Sequence, residues 1–254
     1  MATIGNDESV SHESVSPDLN GAGLVSGHLK PLRYDGLLDD PHETAGMLRS
    51  VMPCNARVLD VGCGTGWVTI IANRDKQNRV LAVEPDPDRA KLCQNRGIET
   101  ICGILTTEIL ATRGPFDVVV FADVLEHLTS PDAVLQLAVS GLEPGGLVLA
   151  SIPNVAHWTL RLKLLMGNFD YRETGLCDAT HLRWFTQRST ETLFRSHGLE
   201  ILNIQGTTGL WLPIYASRLL RPIPRPMLDG FVRTMTRRFP RLFGCQFIVV
   251  ARKP

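Results

Sequence analysis

The run Val58-Leu59-Asp60-Val61-Gly62-Cys63-Gly64-Thr65-Gly66 constrains this chain most, because a buried-strand pattern passes directly into a glycine-rich turn with a carboxylate just ahead of it. From Arg57 to Val61, apolar and β-branched residues suit a strand covered on both faces, as in a parallel α/β sheet. Gly62, Gly64 and Gly66 let the chain turn with positive φ and let a ligand approach bare backbone. Helix-forming residues follow from Trp67 to Asn73, so the turn is expected to open onto a helix. This is the layout of a nucleotide-type cofactor site. The dinucleotide fingerprint G-x-G-x-x-G requires a glycine at position 67, where this chain has Trp67, and the mismatch counts against NAD.

Downstream, Arg79-Val80-Leu81-Ala82-Val83-Glu84 reads as a second buried strand ending in an acid, 18 residues after Gly66. A carboxylate in that position can accept both hydroxyls of a ribose. With Asp60 ahead of the glycines and Glu84 at the tip of the next strand, the pair resembles the cofactor site of class I S-adenosylmethionine-dependent methyltransferases. The resemblance implies an α/β, Rossmann-like, seven-stranded and mostly parallel sheet with helices on both faces. It also implies that Asp60 helps hold the methionine end of S-adenosyl-L-methionine and that Glu84 holds the ribose. Gly62, Cys63, Gly64, Gly66 and Pro85 complete the implied contacts of loop and strand end.

Alternating strand and helix patterns predict βαβ units. A helix is expected from Pro41 to Met52 with Asp40 as its N-cap, and another from Pro87 to Arg96. Strands are expected at Ile98–Cys102, Phe116–Ala122, Leu147–Ile152 after a turn at Glu143-Pro144-Gly145-Gly146, Glu200–Gln205 and Gln246–Ala251. Ligands in open α/β sheets bind beyond the carboxyl ends of the strands, which singles out the residues just after each one. Gly103 is then expected beside the adenine, although no acid follows it until Glu108 to meet the adenine amine. Ala122 and Asp123 are expected to border the cofactor, within a stretch Ala122-Asp123-Val124-Leu125-Glu126-His127-Leu128 that resembles ubiquinone-type O-methyltransferases.

A segment from Ser151-Ile152-Pro153-Asn154-Val155-Ala156-His157-Trp158 to Asp178-Ala179-Thr180-His181-Leu182-Arg183-Trp184-Phe185-Thr186 resembles methyltransferases associated with glycosyltransferases and, more distantly, the MetW methionine-biosynthesis domain. It reads as a lid or substrate insertion over 153–186. His127, His157 and His181 are candidate catalytic groups, since removal of a hydroxyl proton suits an imidazole and these segments are expected to converge over the fourth and fifth strands. Asp178, His181 and Arg183 can equally form a hydrogen-bonded clamp that fixes the lid. A second insertion, 211–244, carries Arg218, Arg221, Arg225, Arg233, Arg237, Arg238 and Arg241 against the single acid Asp229, among apolar residues. Such a basic amphipathic segment suits an anionic membrane surface or a phosphorylated or lipid-linked acceptor, and its prolines argue against one continuous helix.

The 254 residues and 44% hydrophobic content suffice for one domain over 29–254, with a disordered polar tail over 1–28. The formal net charge of zero gives no global field toward nucleic acid. Six scattered cysteines without zinc spacing suit reduced thiols in a cytoplasm, and no metal site is expected. The start of the chain lacks the basic and apolar regions of a signal peptide. The resulting expectation is a cytoplasmic enzyme that methylates an oxygen of a small-molecule or glycan- or lipid-linked acceptor. Two alternatives stand: a non-catalytic, MetW-like regulator, and a nicotinamide-dependent oxidoreductase.

Overall fold

A strand forms at each of the seven predicted apolar runs: β1 (Arg57–Val61), β2 (Arg79–Glu84), β3 (Glu99–Cys102), β4 (Phe116–Ala122), β5 (Leu142–Pro153), β6 (Glu200–Gly206) and β7 (Gln246–Arg252). They lie in a computed structural model that describes residues 35, 36 and 39–254. The tail expected over 1–28 falls outside the described residues. One seven-stranded sheet has the order β3-β2-β1-β4-β5-β7-β6. Strands β1 to β5 pair in parallel, and β7 runs antiparallel to both β5 and β6. The expected Rossmann-like, mostly parallel sheet is therefore the observed one.

The helices are α1 (Thr44–Val51), α2 (Trp67–Asn73), α3 (Pro87–Asn95), α4 (Thr107–Arg113), α5 (Pro131–Ser140), α6 (Trp158–Leu165), α7 (Gln187–Ser196), α8 (Arg225–Arg238) and α9 (Pro240–Phe243). Side chains alternate across the sheet with the two-residue period of a strand. Leu59, Val119, Phe121, Phe247 and Val249 face one layer with Leu135 of α5 and Phe194 of α7. Val58, Val118, Val120, Ile248 and Val250 face the other with Leu48 of α1 and Ala72 of α2. Burial on both faces is what made these strands legible as continuous apolar runs.

Two local expectations are corrected. Helix α1 begins at Thr44, because Asp40 spends its carboxylate on the His42 N–H and its carbonyl on the Glu43 N–H, closing a turn ahead of the helix. The Glu143–Gly146 turn is absorbed into the irregular start of β5, where Gly145 N–H donates to the Lys253 carbonyl. The two insertions prove to be one unit: Leu160 and Leu176 of the first share a small core with Leu212, Tyr215, Leu228 and Val232 of the second. Among the described residues, no helix is long and apolar enough to cross a membrane.

Strand order reverses between β1 and β4, whose connections leave in opposite directions across the sheet. A crevice must open beyond their carboxyl ends.

Candidate active site

That crevice is a cavity of about 800 Å³. Its floor is the glycine turn, where Gly62, Gly64 and Gly66 take φ values of 74°, 56° and 80°. Gly62 is obligatory for space as well as conformation, since a Cβ there would lie 2.8 Å from Val124 Cγ2. Asp60, Gly62, Cys63, Gly64, Glu84, Pro85, Gly103, Ala122 and Asp123 line the cavity. Gly66 does not; it caps α2 and packs on Cys93 and Ile98, so its work is to shape the turn.

The two acids have distinct settings. Glu84 is buried, with Oε2 accepting the Gly64 N–H at 2.8 Å and Oε1 accepting the Asp86 N–H at 3.0 Å. Each oxygen keeps a lone pair for a ligand hydroxyl. Asp60 is 2% exposed; its Oδ2 accepts from Thr69 Oγ1 at 2.6 Å, while Oδ1 has no hydrogen-bond partner among the described residues. Burial, reinforced by the charge of Glu84, pushes the Asp60 carboxyl up to about 6. An underserved buried carboxylate at a cavity wall fits a cationic ligand group, and the ammonium at the methionine end of S-adenosylmethionine is one. Gly103, Ile104 and Leu105 form an apolar edge, and Glu108 lies in the first turn of α4, outside the cavity lining. The residues present thus fit the cofactor's ribose and methionine ends.

Asp123 follows β4 in a left-handed conformation, φ 56°, rarely adopted by a non-glycine residue. Ser151 Oγ and Gln246 Nε2 both donate to its Oδ1, at 2.8 and 2.7 Å, and these bonds hold the strained residue in place. Gln246 lies 123 positions downstream and has no local sequence signature.

Of the three histidines expected to converge, two do. His127 and His181 line the cavity with ring centroids 4.8 Å apart. Beside them lies Glu126, 1% exposed, with neither carboxylate oxygen hydrogen-bonded among the described residues and Oε1 4.0 Å from His181 Nε2. Burial, with the charge of Asp123, holds the Glu126 carboxyl well above its ordinary value. No metal site was expected from cysteine spacing, yet one donor atom from each of Glu126, His127 and His181 lies within 4.8 Å of the others.

The lid is also clamped. Leu182 and Arg183 N–H donate to the Glu126 carbonyl at 2.8 and 3.0 Å, and the Arg183 guanidinium donates to the Thr129 carbonyl. Asp178 accepts from the Thr180 N–H and hydroxyl at 2.8 and 2.6 Å. Arg183 therefore serves the clamp, Asp178 shapes the turn at Thr180, and His181 belongs to the cavity wall.

His157 is the correction. It is fully buried at the start of α6, where Nδ1 lies 2.8 Å from Thr159 Oγ1, and it does not line the cavity. A capping imidazole and a catalytic one look alike in sequence. Burial pushes His157 down to about 4 from 6.5, so the unfolded chain takes up a proton that the fold resists. Its contribution to stability is complete above pH 6.5 and is lost as pH falls toward 4. In urea denaturation, wild type is expected to lose about 2 kcal/mol more than His157→Asn between pH 7 and pH 5. Parallel slopes for the two proteins would remove this role.

Comparisons with known proteins point the same way. Residues 34–204 match the sequence model of a family described as "Methyltransferase domain". A ubiquinone biosynthesis O-methyltransferase of Xanthomonas axonopodis is 33% identical over 108 residues, 40% of this chain and 45% of the relative. The tRNA 5-carboxymethoxyuridine methyltransferase of Escherichia coli is 31% identical over 138 residues, 51% of this chain and 52% of the relative. The chain thus spans about half the length of these curated relatives. A solved Thermotoga maritima S-adenosylmethionine-dependent methyltransferase, described as a possible histamine N-methyltransferase, shares the fold with TM-score 0.53 and 15% identity. That match covers 83% of this chain and 87% of the other.

Proposed function

The chain belongs to the methyltransferase family whose sequence model it matches, as a class I S-adenosylmethionine-dependent member, and from that premise we propose that it methylates an oxygen of a small or glycan-linked acceptor. One observation carries the reading: a single cavity joins the Asp60 and Glu84 carboxylates at one end to Glu126, His127 and His181 at the other. The cofactor, when bound, supplies a methyl group on a sulfonium that departs as a neutral thioether. Glu84 accepts the ribose hydroxyls, Asp60 meets the ammonium, and Gly103 to Leu105 flank the adenine. The acceptor hydroxyl sits against the Glu126 cluster, where its proton passes to an imidazole or to solvent, and holding it in line with the methyl contributes much of the rate.

Incubation with methyl-labelled cofactor and a cell extract tests this. Label is expected in an ether stable to mild base; no transfer to any acceptor, or release as methanol from an ester, contradicts the reading.

Asp60 supplies a pH signature. Its carboxyl lies at about 6 in the fold. A bound cation favours the ionised form, so binding below that pH must expel a proton. Affinity for S-adenosylhomocysteine is expected to fall as pH drops from 7 to 5, by up to about tenfold per unit below the shifted value. Calorimetry in buffers of different ionisation enthalpy reads the proton release directly. Equal affinity at both pH values removes Asp60 from the ammonium.

The second insertion supports a membrane-borne acceptor. All seven of its arginines are exposed, beside Leu219, Met227 and Phe231 at 81%, 67% and 57% exposure, while Leu228 and Val232 anchor α8 to the lid core. Cationic and apolar side chains exposed along one segment suit an anionic bilayer surface. The protein is expected to sediment with vesicles containing phosphatidylglycerol, not with pure phosphatidylcholine, and to release at high salt. Equal recovery with both vesicles contradicts a membrane role for this segment.

A further inference from the structure

We infer that Glu126, His127 and His181 form a binding site for a divalent transition-metal ion at the acceptor end of the cavity. The inference rests on the proposed reading only for what the ion does, and not for its binding. One donor atom from each residue lies within 4.8 Å of the other two, a separation that small side-chain adjustments close around an ion. The second observation is Glu126 itself. It is 1% exposed, lines the cavity, and has no hydrogen bond to either carboxylate oxygen among the described residues. A buried carboxylate is ordinarily paired or metal-bound.

The surroundings orient the ligands. His127 Nδ1 lies 3.1 Å from both the carbonyl and the hydroxyl oxygen of Thr180, and in the tautomer whose Nδ1–H donates to Thr180 it is Nε2 that carries the lone pair. Thr180 is fixed in turn by the Asp178 carboxylate through both its N–H and its hydroxyl. Outer hydrogen bonds of this kind set the tautomer and aim of metal-binding imidazoles. The backbone bonds from Leu182 and Arg183 to the Glu126 carbonyl hold the two sequence-distant halves of the site together. Two imidazoles and one carboxylate suit zinc and its neighbours, whereas magnesium and calcium prefer oxygen donors.

Three protein ligands leave a coordination position toward the cavity. An acceptor hydroxyl bound there loses its proton to solvent more readily, because the ion stabilises the oxyanion. The oxygen then keeps the electron pair that bonds the methyl carbon, and the carbon–sulfur pair stays on sulfur. Under this inference the histidines are ligands, not bases.

Chelator-stripped, full-length protein titrated with Co²⁺, without cofactor or acceptor, tests the site. The expected result is a visible d–d absorption that saturates at one equivalent and disappears on adding Zn²⁺. Glu126→Gln and His181→Asn are each expected to weaken Co²⁺ binding at least about 100-fold, since even loss of an outer partner costs tenfold or more. Melting by circular dichroism confirms that each variant is folded; if Glu126→Gln fails, His181→Asn carries the test. No saturable binding overturns the inference, as does a thiolate charge-transfer spectrum or binding that survives the substitutions. Because the readout needs no methyl transfer, failure here leaves the proposed reaction standing, and failure of that reaction leaves the metal site to be judged alone.

Discussion

Glu84→Ala is expected to weaken binding of S-adenosylhomocysteine by about 1–3 kcal/mol, a factor of roughly 5 to 150 in dissociation constant. Hydrogen bonds to a charged group are among the stronger ones, and Glu84 is a buried carboxylate at the cavity wall. The residue has two tasks, because its oxygens also hold the Gly64 and Asp86 N–H groups that set the shape of the turn and the start of α3. Alanine removes both, so the melting temperature is expected to fall together with affinity. Glu84→Gln keeps one acceptor oxygen but loses the charge, and is expected to lie between wild type and alanine. Calorimetry alongside thermal melting separates the effects. Unchanged affinity in a folded Glu84→Ala protein would remove Glu84 from the cofactor site.

Gly66→Ala is expected to cost about 2–5 kcal/mol of stability. About 1–2 kcal/mol comes from forcing a residue with a Cβ into the left-handed region, where Gly66 has φ 80°. The rest is overpacking, about 1–3 kcal/mol, because the new Cβ would lie 2.7 Å from Cys93 Sγ and 2.9 Å from Ile98 Cδ1. Gly64 is the internal control. Its φ is 56°, but a Cβ there meets nothing within 4 Å, so Gly64→Ala is expected to cost only the conformational part. Urea midpoints of the two variants test the account. Equal losses would mean that packing of the turn on α3 contributes nothing.

The glycine turn and its two flanking acids were legible because their signals are local. Asp60, the three glycines and Glu84 sit at the ends of strands whose two-sided burial writes apolar runs into the sequence. The other end of the cavity was legible only as a list of polar residues. His157 and His181 both lie among aromatic side chains, and only the fold shows that one caps α6 while the other faces the cavity. Glu126 shows no local pattern that relates it to His181, 55 residues away, since the backbone bonds that bring them together form between a 3-10 turn and an irregular segment. Gln246 was missed for the same reason: its bond to Asp123 depends on β7 inserting beside β5. The shared core of the two insertions has no periodicity that spans them.

Calorimetric titration of the cofactor-free protein with S-adenosylmethionine, S-adenosylhomocysteine and NAD tests the central claim most directly. Saturable binding of both sulfur compounds at one site, with NAD silent, is the result the Asp60 and Glu84 carboxylates and Trp67 in place of a third fingerprint glycine predict. Binding of NAD with neither sulfur compound bound would contradict it.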